Sequence, residues 1–215
     1  MTAVVPIEAR KSPRQERAKV TVESILRATA HVLATDGYGK ASTNRVAEAA
    51  GVSVGSLYQY FPNKDALVMA VAEEHSRAML ELLVDTAARY REGDLREGVR
   101  YFVSGMIRSH AIDPKLHRAL LQQLLHLGFD TFAETQVQVR ALVAAWLEFR
   151  RPELKVADCN ITAFVLVSAV ENVVHAAVFE DPALLEQPAF EDELVRLVLR
   201  LLGLPESNGD KLASP

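Results

Sequence analysis

Apolar residues return every three or four positions along most of this chain. Val22, Ile25, Leu26, Thr29, Val32 and Leu33 form the first such stripe. That spacing predicts an amphipathic helix, which Asp36-Gly37 stops. Ser42-Thr43 cap a short second helix whose stripe is Val46, Ala47 and Ala50, and Gly51, lacking Cβ, permits a left-handed ending. Ser53 restarts the chain into a third helix over 54–61, broken at Pro62. Asn63 then caps a long fourth helix over 64–91. Beyond Gly93-Asp94 the same period predicts helices at 99–110, 114–126, 132–150, 158–180 and 190–202, with breaks at Asp113-Pro114, Gly128, Arg151-Pro152, Asp181-Pro182 and Gly203. No strand-like alternation between turn dipeptides and no internal repeat is visible.

The fold expected is therefore all-α, with an N-terminal three-helix domain joined by a long helix to a helical bundle. Residues 1–16 hold two prolines, no apolar period and Arg10, Lys11 and Arg14, with Arg17 just beyond, and are expected to form a flexible basic arm. The next boundary falls near 78: residues 17–78 form the first domain, with its helix pair at 42–61, and 79–205 the second. Residues 206–215 are expected to be a disordered tail.

Charge changes the picture. The net charge is −4, which alone argues against a polyanionic partner, but residues 1–64 carry +4 and residues 65–215 carry −8. A basic head with an acidic body suits a protein that meets nucleic acid by one end only. No uncharged apolar run of about 18 residues appears, since the stretch 161–170 is followed by Glu171, Asn172 and His175, so no membrane partner is expected. No apolar leader opens the sequence, and the single Cys159 agrees with a reducing compartment. A cytoplasmic protein is expected. There is no Gly-rich phosphate loop, Gly-x-Ser-x-Gly elbow or His-Glu-x-x-His, so catalysis is not expected, nor any cofactor. His110, His117 and His126 fit no metal-ligand spacing, and no metal is expected.

Two short helices flanking Gly51-Val52-Ser53 have the form of a helix-turn-helix, whose second helix enters the major groove while the first braces it. The stretch SILRATAHVLATDGYGKASTNRVAEAAGVSVGSLYQYFPNKDAL carries Gly37-Tyr38, Ser42-Thr43, Val46-Ala47, Ala50-Gly51-Val52-Ser53, Gly55-Ser56-Leu57-Tyr58, Tyr60-Phe61 and Asn63-Lys64 in order. In these residues the chain resembles the N-terminal domain of the TetR family of bacterial transcription regulators, over about residues 19–78. The resemblance implies a ligand-responsive regulator, most often a repressor, that binds a palindromic double-stranded operator as a homodimer. It also implies that Tyr60 and Lys64 contact phosphate.

The residues themselves carry part of that reading. Thr43 and Lys64 open the second and fourth helices, where free N–H groups favour a phosphate. Gly55 and Ser56 keep the first turn of the recognition helix small, and Ser53 caps it. Gln59 offers the bidentate amide that suits adenine. Tyr58 is either a base-edge contact or a packed aromatic, and Arg45 either a phosphate contact or a solvated charge. Val54 puts an apolar side chain where a polar reader could stand, which shifts weight to shape readout. Tyr38 is expected to pack between the first helix and the helix-turn-helix.

In the second domain, 161–179 and 194–202 are apolar on more than one face. The resemblance implies that these two helices build a four-helix bundle across a two-fold axis. Tyr101, Phe102, Met106, His110, Leu121, Leu125, Phe129, Trp146 and Phe149 are candidates to line a pocket for a small hydrophobic effector, or else plain core. Ser168, Glu171, Asn172 and His175 form a polar stripe that serves either the dimer interface or a ligand. The competing reading is a DNA-binding architectural or protein-interaction module with no effector.

Overall fold

A computed structural model describes residues 16–89, 92–127 and 131–204. The expected basic arm and tail lie, but for Glu16, outside these residues. The described chain is helical, with α1 (Glu16–Lys40), α2 (Thr43–Ala50), α3 (Val54–Tyr60), α4 (Lys64–Arg89), α5 (Leu95–Ala111), α6 (Pro114–Leu127), α7 (Thr131–Phe149), α8 (Cys159–Glu180) and α9 (Pro188–Leu201). Short 3-10 turns at Arg151–Glu153 and Pro182–Glu186 precede α8 and α9. The fold is all-α, as the periodicity predicts.

Caps set the boundaries. Gly37 (φ 72°, ψ 167°) breaks the helical path of α1 before its last residues, a conformation that costs a side-chain-bearing residue more than glycine. Ser42 Oγ accepts from the Arg45 amide to start α2, and Gly51 (φ 67°, ψ 29°) ends it in the left-handed conformation. Asp94 starts α5 at Leu95 by accepting from the Arg96 and Glu97 amides at 2.8 and 3.0 Å. The apolar period places that start at 99 instead, because Leu95 is the only apolar residue of the first turn and periodicity alone does not register a cap. Asp158 does the same for α8.

The chain divides into two compact units. The first holds residues up to Arg77 together with Asp113–Thr131, and the second holds Ala78–Ile112 and the chain from Phe132 onward. The break falls inside α4, and α6 groups with the N-terminal helices, against which it packs through α1. In the first unit Ile25, Leu57, Phe61, Leu67, Val68 and Leu120 are essentially inaccessible. Two buried histidines, His75 on α4 and His117 on α6, face each other with Nε2 and Nδ1 2.8 Å apart.

In the second unit α5 packs on α8 and α9. Helix α8, 22 residues long, has the length and hydropathy of a membrane span. It is nonetheless the central helix of this unit's core, with Val167, Val170, Val174 and Ala177 buried. Glu171 is buried beside them. Burial raises its carboxyl pKa above the usual range, and the side chains of Gln136 and Arg140 pull it back in part.

Candidate nucleic-acid interface

The helix-turn-helix is built from α2 and α3. Val46 and Ala47 on α2 and Leu57 on α3 are turned into the core, which leaves Val54, Gly55, Tyr58 and Gln59 of α3 exposed. Ser53 caps α3 by accepting from the Ser56 amide at 3.0 Å, and the two hydroxyls lie 2.8 Å apart. A short helix held by its own cap on a buried leucine presents its outer face as a fixed surface.

The other expected contact residues are tied into this frame. The Tyr58 hydroxyl meets Thr43 Oγ1 at 3.0 Å, and at 39% exposure Tyr58 links the start of α2 to α3. Arg45 pairs with Asp36 at 2.8 Å. Tyr60 and Ser56 are half-buried.

At the start of α4, Asn63 Oδ1 accepts from the Ala66 amide at 2.8 Å. The Lys64 ammonium donates to the Tyr38 carbonyl at 3.1 Å and stands 3.6 Å from the centre of the Tyr38 ring. Tyr38 in turn donates its hydroxyl to Asp65 Oδ1 at 2.5 Å. Burial, then the hydrogen bond and charge of Asp65, push the Tyr38 hydroxyl up to about 12. Tyr38, expected between the first helix and the helix-turn-helix, instead ties the end of α1 to the start of α4 through Lys64 and Asp65. Asp36 and Asp65 do not stand out in the sequence, because neither position follows from helical spacing; both pairings depend on how the α1 end meets α2 and α4.

The candidate effector residues scatter. A cavity of about 50 Å³ in the second unit is bordered by Phe102 and Trp146 from that set, together with Thr86, Val99, Leu142, Leu166, Val170 and Val198. Its walls are almost wholly apolar, and the Thr86 hydroxyl donates to the Leu82 carbonyl at 2.6 Å. The others lie elsewhere. Met106 is buried in the core of that unit, Tyr101 lies under the Arg108 guanidinium at 5.5 Å, and Phe149 is 47% exposed. His110 is bonded to the Met106 carbonyl and to His175. Leu121 belongs to the first unit, and the side chains of Leu125 and Phe129 fall outside the described residues. Val99 and Leu142 escape a search for aromatic candidates, although they lie three and four residues before Phe102 and Trp146, a helical spacing that points to the same face.

The polar stripe on α8 divides. Glu171 faces inward, and His175 meets His110. Asn172 is exposed and donates to the Ser168 carbonyl at 2.7 Å.

A capped recognition helix with its outer face exposed, braced by a second short helix, defines a helix-turn-helix DNA-binding protein. Residues 25–71 match the bacterial regulatory proteins of the tetR family, and residues 94–202 match the tetracyclin repressor-like C-terminal domain. The chain belongs to the TetR family, whose members are bacterial transcription regulators. It is 32% identical over 112 residues to the HTH-type transcriptional repressor KstR of Rhodococcus jostii, covering 51% of this chain and 50% of that protein. It is 31% identical over 130 residues to the HTH-type transcriptional regulator UidR of Escherichia coli, covering 60% of each. The chain thus spans about half the length of these curated relatives. Among solved structures, a TetR-family regulator from Mesorhizobium loti matches with a TM-score of 0.71 and 17% identity, over 87% of this chain and 98% of that one. The fatty acid degradation regulator FadR of Bacillus halodurans matches with a TM-score of 0.65 and 21% identity, over 90% and 97%.

Proposed function

We propose that this chain is a cytoplasmic, effector-responsive repressor that binds a palindromic DNA operator as a homodimer and leaves it when a small apolar molecule enters the second unit. The observation that carries the DNA-binding part is the exposed face of α3, with Gln59 on it and Lys64 nearby in sequence at the start of α4. Gln59 reads a base, Tyr60 and Lys64 hold phosphates, and Thr43 and the α2 N-terminus add backbone contacts.

Homodimerisation is supported by the outer faces of α8 and α9. Ile161, Phe164 and Val165 on α8 and Leu201 on α9 are 65, 53, 44 and 43% exposed, a concentration of apolar surface that a monomer would leave in water. A two-fold pair of such chains presents two recognition helices to two half-sites.

The apolar cavity supports an effector of matching chemistry. At about 50 Å³ it has room for only a few water-sized groups, so a larger effector binds by parting the helices that border it. Helix α4 runs without interruption from Lys64 to Arg89 and contributes Thr86 and Ala87 to the cavity wall, which makes it the element that carries the change toward the DNA contacts. A tenfold loss of operator affinity needs about 1.4 kcal/mol of differential effector binding. The test is a titration of a selected operator duplex with and without an added apolar effector: release supports the reading, and unchanged affinity with every compound that binds the cavity refutes the effector part.

A further inference from the structure

Two histidines of the second unit, His110 near the end of α5 and His175 on α8, bring their Nε2 atoms to 3.1 Å of each other. His110 is 1% exposed, and His175 is half-buried. Their positions are 65 residues apart in sequence, which is why no spacing motif announces them. We propose that His110 and His175 are ligands of a divalent transition-metal site of the zinc class, clamping α5 to α8.

The geometry that makes this hydrogen bond also suits a shared cation. His110 Nδ1 lies 2.8 Å from the Met106 carbonyl oxygen. That oxygen can only accept, so Nδ1 carries the hydrogen and Nε2 presents its lone pair toward His175. This is the outer-shell arrangement that orients metal-ligating imidazoles: a backbone carbonyl fixes the tautomer and turns the other nitrogen to the metal. Ser109 Oγ, at 3.1 Å from His110 Nδ1 and donating to the Met106 carbonyl, braces the same end.

The spacing also fits. Two nitrogens bound to one zinc at 2.0–2.1 Å with a tetrahedral angle lie about 3.3 Å apart. The observed separation is within a few tenths of an ångström of that, so the rings need hardly move. His175 has only to shift its hydrogen from Nε2 to Nδ1 for both lone pairs to converge, and no net proton is lost. Burial supports the neutral state that ligation requires, holding His175 well below its ordinary value. Imidazole pairs suit zinc, copper, nickel and iron, and exclude calcium and magnesium, which require oxygen.

The test uses the full chain without an affinity tag, freed of metal by dialysis against chelator. Zinc is titrated in competition with a chromophoric chelator. One zinc per chain is expected, with affinity reduced more than about 100-fold in H110Q and H175Q, beyond what loss of an outer-shell partner costs. The control H31Q, at an exposed position on α1, leaves it unchanged. Equal zinc affinity in folded H110Q and H175Q overturns the proposal. If those variants fail to fold, X-ray absorption of the zinc-loaded wild type and H75Q decides: at least two imidazole nitrogens in the shell of both proteins support the site, and fewer than two in either overturns it.

Discussion

The Lys64 ammonium is held over the Tyr38 ring, 3.6 Å from its centre, while it donates to the carbonyl of the same tyrosine. A flexible cation is thereby fixed at the opening of α4, so the ordering of its side chain is already accomplished before DNA arrives. Lys64→Ala should weaken binding to every duplex sequence alike and lower the salt dependence by about one unit in log–log slope. Fluorescence anisotropy across a range of potassium chloride concentrations measures both. Tyr38→Phe removes the hydroxyl that donates to Asp65 and should cost about 1 kcal/mol of stability in urea melts.

The proposed dimer would rest on the apolar outer faces of α8 and α9. Ile161→Asp combined with Leu201→Asp places charges on that surface without touching the buried residues of either helix. Light scattering should then show a monomer with wild-type helix content by circular dichroism. A dimer of unchanged stability would place the interface elsewhere.

Burial of His75 outweighs the charge of Asp113 and lowers its pKa below the ordinary 6.5. The folded state then resists protonation that the unfolded chain accepts. The stabilisation is complete above about pH 6.5 and is lost as the pH falls below it, at no more than about 1.4 kcal/mol per pH unit for one group. Denaturant melts between about pH 7.5 and 5.5 should show this fall, to which His175, lowered by burial to about 4, adds its own share, and His75→Gln should remove the His75 part.

The cavity bordered by Phe102, Trp146 and Val170 is apolar and near the size of a xenon atom, so xenon should enter it. Val170→Phe should fill it at a cost of about 1–3 kcal/mol. Xenon-129 chemical shifts in solutions of the two proteins measure occupancy, and an identical response in both would mean that xenon does not enter there.

The helices of the first unit are legible in the sequence. The stripe from Val22 to Leu33, the Ser42 and Ser53 caps and Gly51 announce them, because local backbone chemistry decides each one. The core face of α3 follows from Leu57 alone. What the sequence withholds depends on meetings between distant segments: Arg45 with Asp36, Tyr38 with Asp65, and His110 with His175. The effector candidates show the limit most plainly. Aromatic character picks out Phe102 and Trp146 but equally Phe149, whose exposure is set by which side of α7 meets the rest of its unit.

Sequence-specific DNA recognition by α3 is decided by selecting bound duplexes from a random pool with this protein. The expected outcome is enrichment of a two-fold symmetric site with half-sites about one helical turn or a multiple apart, bound at least about 10³-fold more tightly than scrambled duplex. Gln59→Ala should then change which bases are enriched in each half-site. A pool that stays random after repeated rounds, or a Gln59→Ala protein that loses affinity equally for every duplex, would contradict recognition by this helix.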